Sequence, residues 1–205
     1  MEFTMRFVPR ALVATSVTLA AVMTVSTAQA ATPAEAVSAL DSGLLAIMKA
    51  GKGAGLQGRK ARIAPVIDQA FDLPLMARLS VGSAWTGFSP ADQKDLVASF
   101  RRMVIAEYAR NFDGWSGQSF AVSPDVQTRG TDSLVRTVLH DPKGKDVAIS
   151  YRLRQSGGTW KIIDVFYNNS ISQIATRRSD FAIALQKGGA RSLIGHLDQL
   201  AARTN

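Results

Sequence analysis

The sequence predicts an α+β fold, a four-stranded antiparallel sheet with helices packed on one face. Three observations lead there. Apolar residues recur every three or four positions between Pro33 and Phe112, the period of amphipathic helices. From Ser119 the period drops to two, in segments separated by Gly130-Thr131-Asp132, Asp141-Pro142-Lys143-Gly144 and Ser156-Gly157-Gly158, which read as tight hairpin turns. The helical period then returns from Ile171 to Leu200. Helices and strands segregated in this way point to one domain with its helices on one side of a twisted sheet.

The first thirty residues are expected to be removed. Arg6 and Arg10 precede an uncharged apolar run from Ala11 to Val25, and Ala28-Gln29-Ala30 supplies a small-x-small cleavage site before Ala31. This is the pattern of a secretory signal peptide, and the run is shorter than the roughly 20 residues a membrane span needs. Residues 31–205 are then a soluble exported domain. The chain has no cysteine, which excludes a disulfide framework and thiolate chemistry, and a periplasmic location is expected.

The helices of the exported part follow in order. Val37, Leu40, Leu44, Leu45, Ile47 and Met48 give one face to Pro33–Ala50, and the Gly-rich stretch 51–55 ends it. Ile63, Val66, Ile67, Ala70 and Phe71 mark a second helix. Asp72 can cap a short third one carrying Leu73, Leu75, Met76 and Leu79, which stops near Gly82. Ser89 at N-cap, Pro90 at N1 and Asp92 in the first turn open the clearest helix. Its stripe is Leu96, Phe100, Met103, Val104 and Tyr108.

Four strands are expected, Ser119–Arg129, Ser133–His140, Asp146–Gln155 and Thr159–Tyr167, paired as a meander. Val147, Ile149, Tyr151 and Leu153 share one face of the third, and Ala148, Ser150, Arg152 and Arg154 the other. One side is apolar and one solvated, as in a sheet covered on a single face. Two helices close the chain, the first with Ile171, Ile174, Ala175, Phe181, Ile183 and Leu185, the second with Leu193, Ile194, Leu197 and Leu200, separated by Gly188-Gly189.

Composition narrows the chemistry. The formal net charge is +8. Without residues 1–30 it is +7, from 22 basic and 15 acidic residues. That favours an anionic partner such as lipid head groups or an acidic protein, but the cations are scattered without the aromatic interleaving of nucleic-acid binders, so no nucleic acid is expected. His140 and His196 are the only histidines. No metal-ligand spacing, phosphate loop or nucleophile elbow is present, so neither a metal nor a cofactor nor a catalytic triad is expected. Asp164, inside Trp160–Tyr167, shares a face with Trp160, Ile162 and Phe166 if the strand alternates regularly. A pairing with Arg152 or Arg154 is its favoured role, and an acid/base group in an isomerase-like enzyme the alternative. An adaptor without ligand is a third reading. The apolar surplus suggests a cleft between the sheet and its helices.

Several segments resemble a known family. They are Phe71-Asp72-Leu73-Pro74-Leu75-Met76-Ala77-Arg78 with Gly82, Trp85 and Ser89; Tyr108-Ala109; Trp160-Lys161-Ile162-Ile163-Asp164-Val165; Asn169-Ser170-Ile171-Ser172; and Ala175-Thr176-Arg177-Arg178-Ser179-Asp180-Phe181. In order and spacing, from about Pro33 to Leu200, they resemble the toluene-tolerance/MlaC family of periplasmic lipid-binding proteins. The ending from Ile171 to Leu197 is most similar to its HpnM branch, associated with hopanoids. The resemblance implies a non-enzymatic carrier, enclosing an apolar cavity between sheet and helices. Its ligand would be a phospholipid or a hopanoid. Its partners would be an inner-membrane transporter, of the ABC type with a lipid-binding ring or of the RND type, and an outer-membrane complex. A monomer is expected. Asn168-Asn169 before Ser170 departs from the acidic-Gly pair of the phospholipid carriers, which keeps a hopanoid in view. The residues expected to hold lipid are Leu73, Met76, Leu79, Phe100, Met103, Val104, Tyr108, Tyr151, Val165, Tyr167, Ile171, Ile174 and Phe181, with cavity lining and core filling not separable among them.

Overall fold

A computed structural model of the chain describes Met1 and residues 31–203. The expected signal peptide therefore lies, Met1 apart, outside the described residues. Helices α1 (Pro33–Ala50), α2 (Gly55–Ala70), α3 (Leu73–Val81) and α4 (Pro90–Asn111) precede strands β1 (Ser119–Val122), β2 (Gln127–Arg129), β3 (Asp132–His140), β4 (Val147–Ser156), β5 (Thr159–Tyr167) and β6 (Ile171–Ser172), and α5 (Gln173–Ala202) ends the fold. Among the described residues no helix is long and apolar enough to cross a membrane.

The helix starts follow their capping residues. Thr32 and Glu35 form a reciprocal capping box on α1. Asp72 accepts from the Leu75 amide at 3.0 Å and Ser89 accepts from the Asp92 amide at 3.1 Å. Helix α4 runs between α2 and α5, while α1, α2, α3 and α5 all reach the sheet. Gly43 sets the approach of α1 to α2, because a Cβ there would lie 2.5 Å from a Val66 methyl carbon.

The sheet has six strands, not four, in the order β1-β3-β4-β5-β6 with β2 also pairing with β3. The first difference is the expected strand Ser119–Arg129, which divides at Pro124. Ser123 still donates to the Arg136 carbonyl at 2.8 Å, but Pro124 has no N–H to continue the ladder, and the Asp125 amide turns onto the Ser123 hydroxyl at 3.2 Å. Both halves lie along β3, β1 opposite residues 137–140 and β2 opposite 132–134. The second difference is Ile171, which begins β6 rather than a helix. Asn168 and Asn169 adopt φ 49° and 58°, the left-handed conformation that Asn tolerates best after Gly, and this folds β6 back onto β5. Ser172 then caps α5 through the Ala175 amide at 3.0 Å.

Of the expected hairpins, Gly157-Gly158 is a two-residue turn between the paired residues Ser156 and Thr159, with φ 57° and 80°, as a primed turn requires. The β3–β4 connection is wider than expected, since pairing stops at Leu139 and Val147.

Val135, Thr137, Ile149, Tyr151, Leu153, Ile162 and Val165 form the buried inner face. A bulge disturbs β5. Arg152 opposes Asp164, but its neighbour Leu153 opposes Ile162, so Ile163 is the extra residue. Alternation reverses there, and Asp164 lies on the outer face, opposite to Ile162 and Trp160. The regular alternation expected for this strand fails at that point.

Candidate functional site

Helix α5 is two arms rather than one rod. Its helical path breaks at Gly188 and Gly189, and Gly189 has φ 58°, a conformation glycine adopts without strain. The two expected C-terminal helices are these arms. Between them, the end of α4 and the β5–β6 corner lies an open cleft of about 660 Å³. Its apolar lining is Met103, Tyr167, Ile171, Phe181, Ile183 and Leu200, and its polar lining includes Glu107, Arg110, Arg177 and His196. Ile171 and Ile183 stand at its rim, 57% and 62% exposed.

Arg177 ties the first arm down. It is 7% exposed, donates to the Glu107 carboxylate at 2.7 Å, and stacks its guanidinium 5.1 Å from the Phe100 ring centroid. Its Nη1 is buried with no partner among the described residues. Next to it, Arg178 donates to the Leu79 carbonyl at 2.7 and 3.2 Å. The second arm is held by exposed ion pairs, Arg102 with Asp198 at 2.7 Å and Arg191 with Asp92 at 2.8 Å. Part of the positive charge serves helix C-termini. Lys60 donates to the Ala201 carbonyl, Arg110 to those of Leu200 and Arg203, and the buried Arg59 to those of Ala109 and Gly51, where cations are favoured by the helix dipole.

The residues expected to hold lipid divide between two places. Met103, Tyr167, Ile171 and Phe181 line the cleft. Leu73, Met76, Phe100, Val104, Tyr108, Tyr151, Val165 and Ile174 are instead packed in the hydrophobic core, each 5% exposed or less. Among the described residues no enclosed cavity between sheet and helices is shown; these side chains belong to one packed core. Leu79 is half-buried against the same core. Ile183, expected on the apolar face of its helix, is instead exposed at the rim, and neither it nor Arg177 nor Glu107 was among the residues expected to hold lipid. Arg177 carried a signal, since it interrupts the apolar face Ile174–Phe181–Ala184 of its own helix.

The titratable groups are mostly structural. Burial holds the Tyr108 and Tyr151 hydroxyls well above their ordinary values. Asp164 accepts from the Val165 and Ile174 amides at 2.8 and 3.1 Å and from the Ser172 hydroxyl at 2.6 Å, with Arg152 at 3.8 Å. It joins β5 to the start of α5 mainly through these amides and the hydroxyl; Arg152 stands near it without a hydrogen bond, and Arg154, the other arginine expected to pair with it, bonds Asp132 instead. His140 pairs with Asp146 at 2.7 Å on the surface. Asp41 on α1 is 3% exposed and faces the Thr137 hydroxyl at 3.3 Å; burial raises its pKa to about 7.

The comparisons with known proteins fit this architecture. A family model described as "MlaC protein" matches residues 39–199. The chain belongs to the MlaC family. Among solved structures, the phospholipid-binding protein from Ralstonia solanacearum, in complex with a phospholipid, matches with a TM-score of 0.73 and 25% identity. The match covers 84% of this MlaC-family chain and 98% of the Ralstonia one. No curated protein matches in sequence.

Proposed function

We propose that this MlaC-family protein is a soluble periplasmic lipid carrier. It takes the apolar chains of a phospholipid or hopanoid from one membrane and delivers them to the other, by docking in turn on an inner-membrane transporter of ABC/lipid-ring or RND type and on an outer-membrane complex. The observation that carries the reading is the phospholipid held by the structural neighbour, together with the apolar-rimmed cleft under α5. The cleft's 660 Å³ lies within the roughly 300–1,000 Å³ of ligand sites. The resemblance of the last helices to the hopanoid-associated branch keeps that lipid as a second cargo.

Transfer needs no bond to be made or broken. Moving one sixteen-carbon chain into water costs about 13 kcal/mol at roughly 0.8 kcal/mol per CH₂, so free desorption is slow. Moving it from a bilayer to an apolar protein site costs far less, because both ends are apolar. The chain enters at the cleft, and the arm held by Arg177 and Arg178 yields to admit it toward Phe100 and Tyr108. Met103 suits variable chains through its flexible thioether.

Native mass spectrometry of residues 31–205, purified without detergent from a hopanoid-producing host, tests this. A discrete lipid mass near unit stoichiometry is expected. A clean apo mass that stays unshifted after incubation with mixed liposomes defeats it.

A further inference from the structure

The outer face of the sheet carries an arginine group that the lipid site does not use. Strand register brings Arg129 of β2, Arg136 of β3 and Arg152 of β4 to this face, on either side of Leu134 and beside Phe166. Together with Asp132 they line a groove of about 410 Å³.

The carboxylates nearby are engaged elsewhere. Asp132 is clasped by Arg154 through bonds of 2.6 and 3.0 Å. Asp164 is saturated by two amides and a hydroxyl, as described above. Arg136 donates to the Gln127 amide oxygen at 3.0 Å, a neutral partner, and Asp125 reaches it only at 3.8 Å. Arg152 is left with ion-pair distances of 3.8 Å to Asp164 and 4.0 Å to Asp132, both beyond hydrogen-bond length. Its Nε is buried and without a partner among the described residues. A guanidinium has five donors in a fork that matches a carboxylate, and a buried donor left unmade is costly.

We propose that this groove docks an extended, acidic segment of a partner protein, with a carboxylate on Arg152 and a second on Arg136 or Arg129. Leu134 and Phe166 provide the apolar floor. A flat anionic bilayer fits less well: the donors lie in a concavity, and the exposed large apolar residues Trp115, Ile171 and Ile183 are none of them in the groove. The groove lies on the sheet face opposite the helices, so a partner seated there leaves the lipid cleft open. The proposal stands apart from the identity of the cargo.

The test is a titration of ¹⁵N-labelled residues 31–205 with a decaglutamate peptide at low salt, followed by NMR. Shifts should concentrate at Gln127–Arg129, Leu134, Arg152 and Phe166. Arg152→Gln should weaken binding about tenfold, the scale of one charge-assisted hydrogen-bonded pair. Arg136→Gln should weaken it as well, whereas Arg62→Gln on exposed α2 should stay within about twofold, since it removes only screened long-range charge. Equal losses from Arg152→Gln and Arg62→Gln, with shifts spread over the surface, would overturn the proposal, as would no binding at all. So would phosphatidylglycerol vesicles that engage Arg152 while decaglutamate does not, which would make the face a membrane contact.

Discussion

In the packed core Phe100, Tyr151 and Leu153 are 1% exposed or less, whereas at the cleft under α5 Ile171 and Ile183 keep more than half of their surface in water. Both regions are built from large apolar side chains, and the difference is whether an opposing element covers them. The sheet has α1, α2 and α3 above it. The cleft, between the end of α4, the β5–β6 corner and the two arms of α5 that part at Gly188-Gly189, stays open. Shape complementarity is thus completed within the chain at the first region and left open at the second, the region proposed above to take lipid. Exposed apolar area of this kind is where binding free energy remains to be gained, at roughly 25 cal/mol per Å².

The largest expected effect tests whether Phe100 is core or lining. Phe100→Ala should destabilise the fold by about 3–5 kcal/mol, the usual cost of truncating a packed phenylalanine. Urea unfolding measures it. A loss below about 1 kcal/mol would mean that Phe100 borders an existing void, and the contrast between the two regions would collapse.

Asp41 probes the packed side by pH. Its pKa is about 7 in the fold against about 3.9 in an unfolded chain. Between those values the folded state holds a proton that the unfolded state has lost. Stability contributed by this group is therefore full below about pH 4, falls as pH rises to about 7, and is level above. The expected decline is about 2–4 kcal/mol. Asp41→Asn should remove this slope while leaving the rest of the pH profile in place. Parallel stability curves for the two proteins from pH 4 to 8 would refute the assignment.

The border between the regions is Arg177. Arg177→Gln removes the ion pair with Glu107 and the contact on Phe100. A fully buried broken pair costs about 3–5 kcal/mol, but Glu107 is 29% exposed and water reaches the charge left behind, so about 1–2 kcal/mol is expected. Faster amide exchange should be confined to the first arm of α5. Uniform acceleration through α4 and the sheet would show instead that the arm does not open independently.

Much of this contrast was legible in the chain. The capping residues Asp72 and Ser89 and the alternation of Val147–Arg154 specify their own local geometry, and each element formed as its pattern requires. Strand number was not legible from alternation alone, because Pro124 and the Asn168-Asn169 turn act through single residues. The Asn pair was the readable signal for β6. The face of Asp164 was not readable: a bulge at Ile163 depends on how β5 meets β4 and Phe71, the residue that follows α2 and bridges Ile162. The division between lining and filling was also hidden. Met103 and Val104 are neighbours of similar hydrophobicity, and only the path of α5 beyond Gly189 leaves one of them on the cleft.

The smallest structural effect should accompany the most specific functional one. Ile183 is exposed, so Ile183→Asp should change stability by no more than about 0.5 kcal/mol, as for surface substitutions generally. At the rim, however, a carboxylate places a charge on the proposed path of an acyl chain, and burying it against that chain is strongly unfavourable. Lipid acquired from liposomes should fall several-fold by mass spectrometry, while the unfolding midpoint stays that of the wild type. Ile171→Asp across the rim should act alike. If both variants load normally, lipid enters by another route, and the exposed isoleucines have to be explained as part of a protein contact.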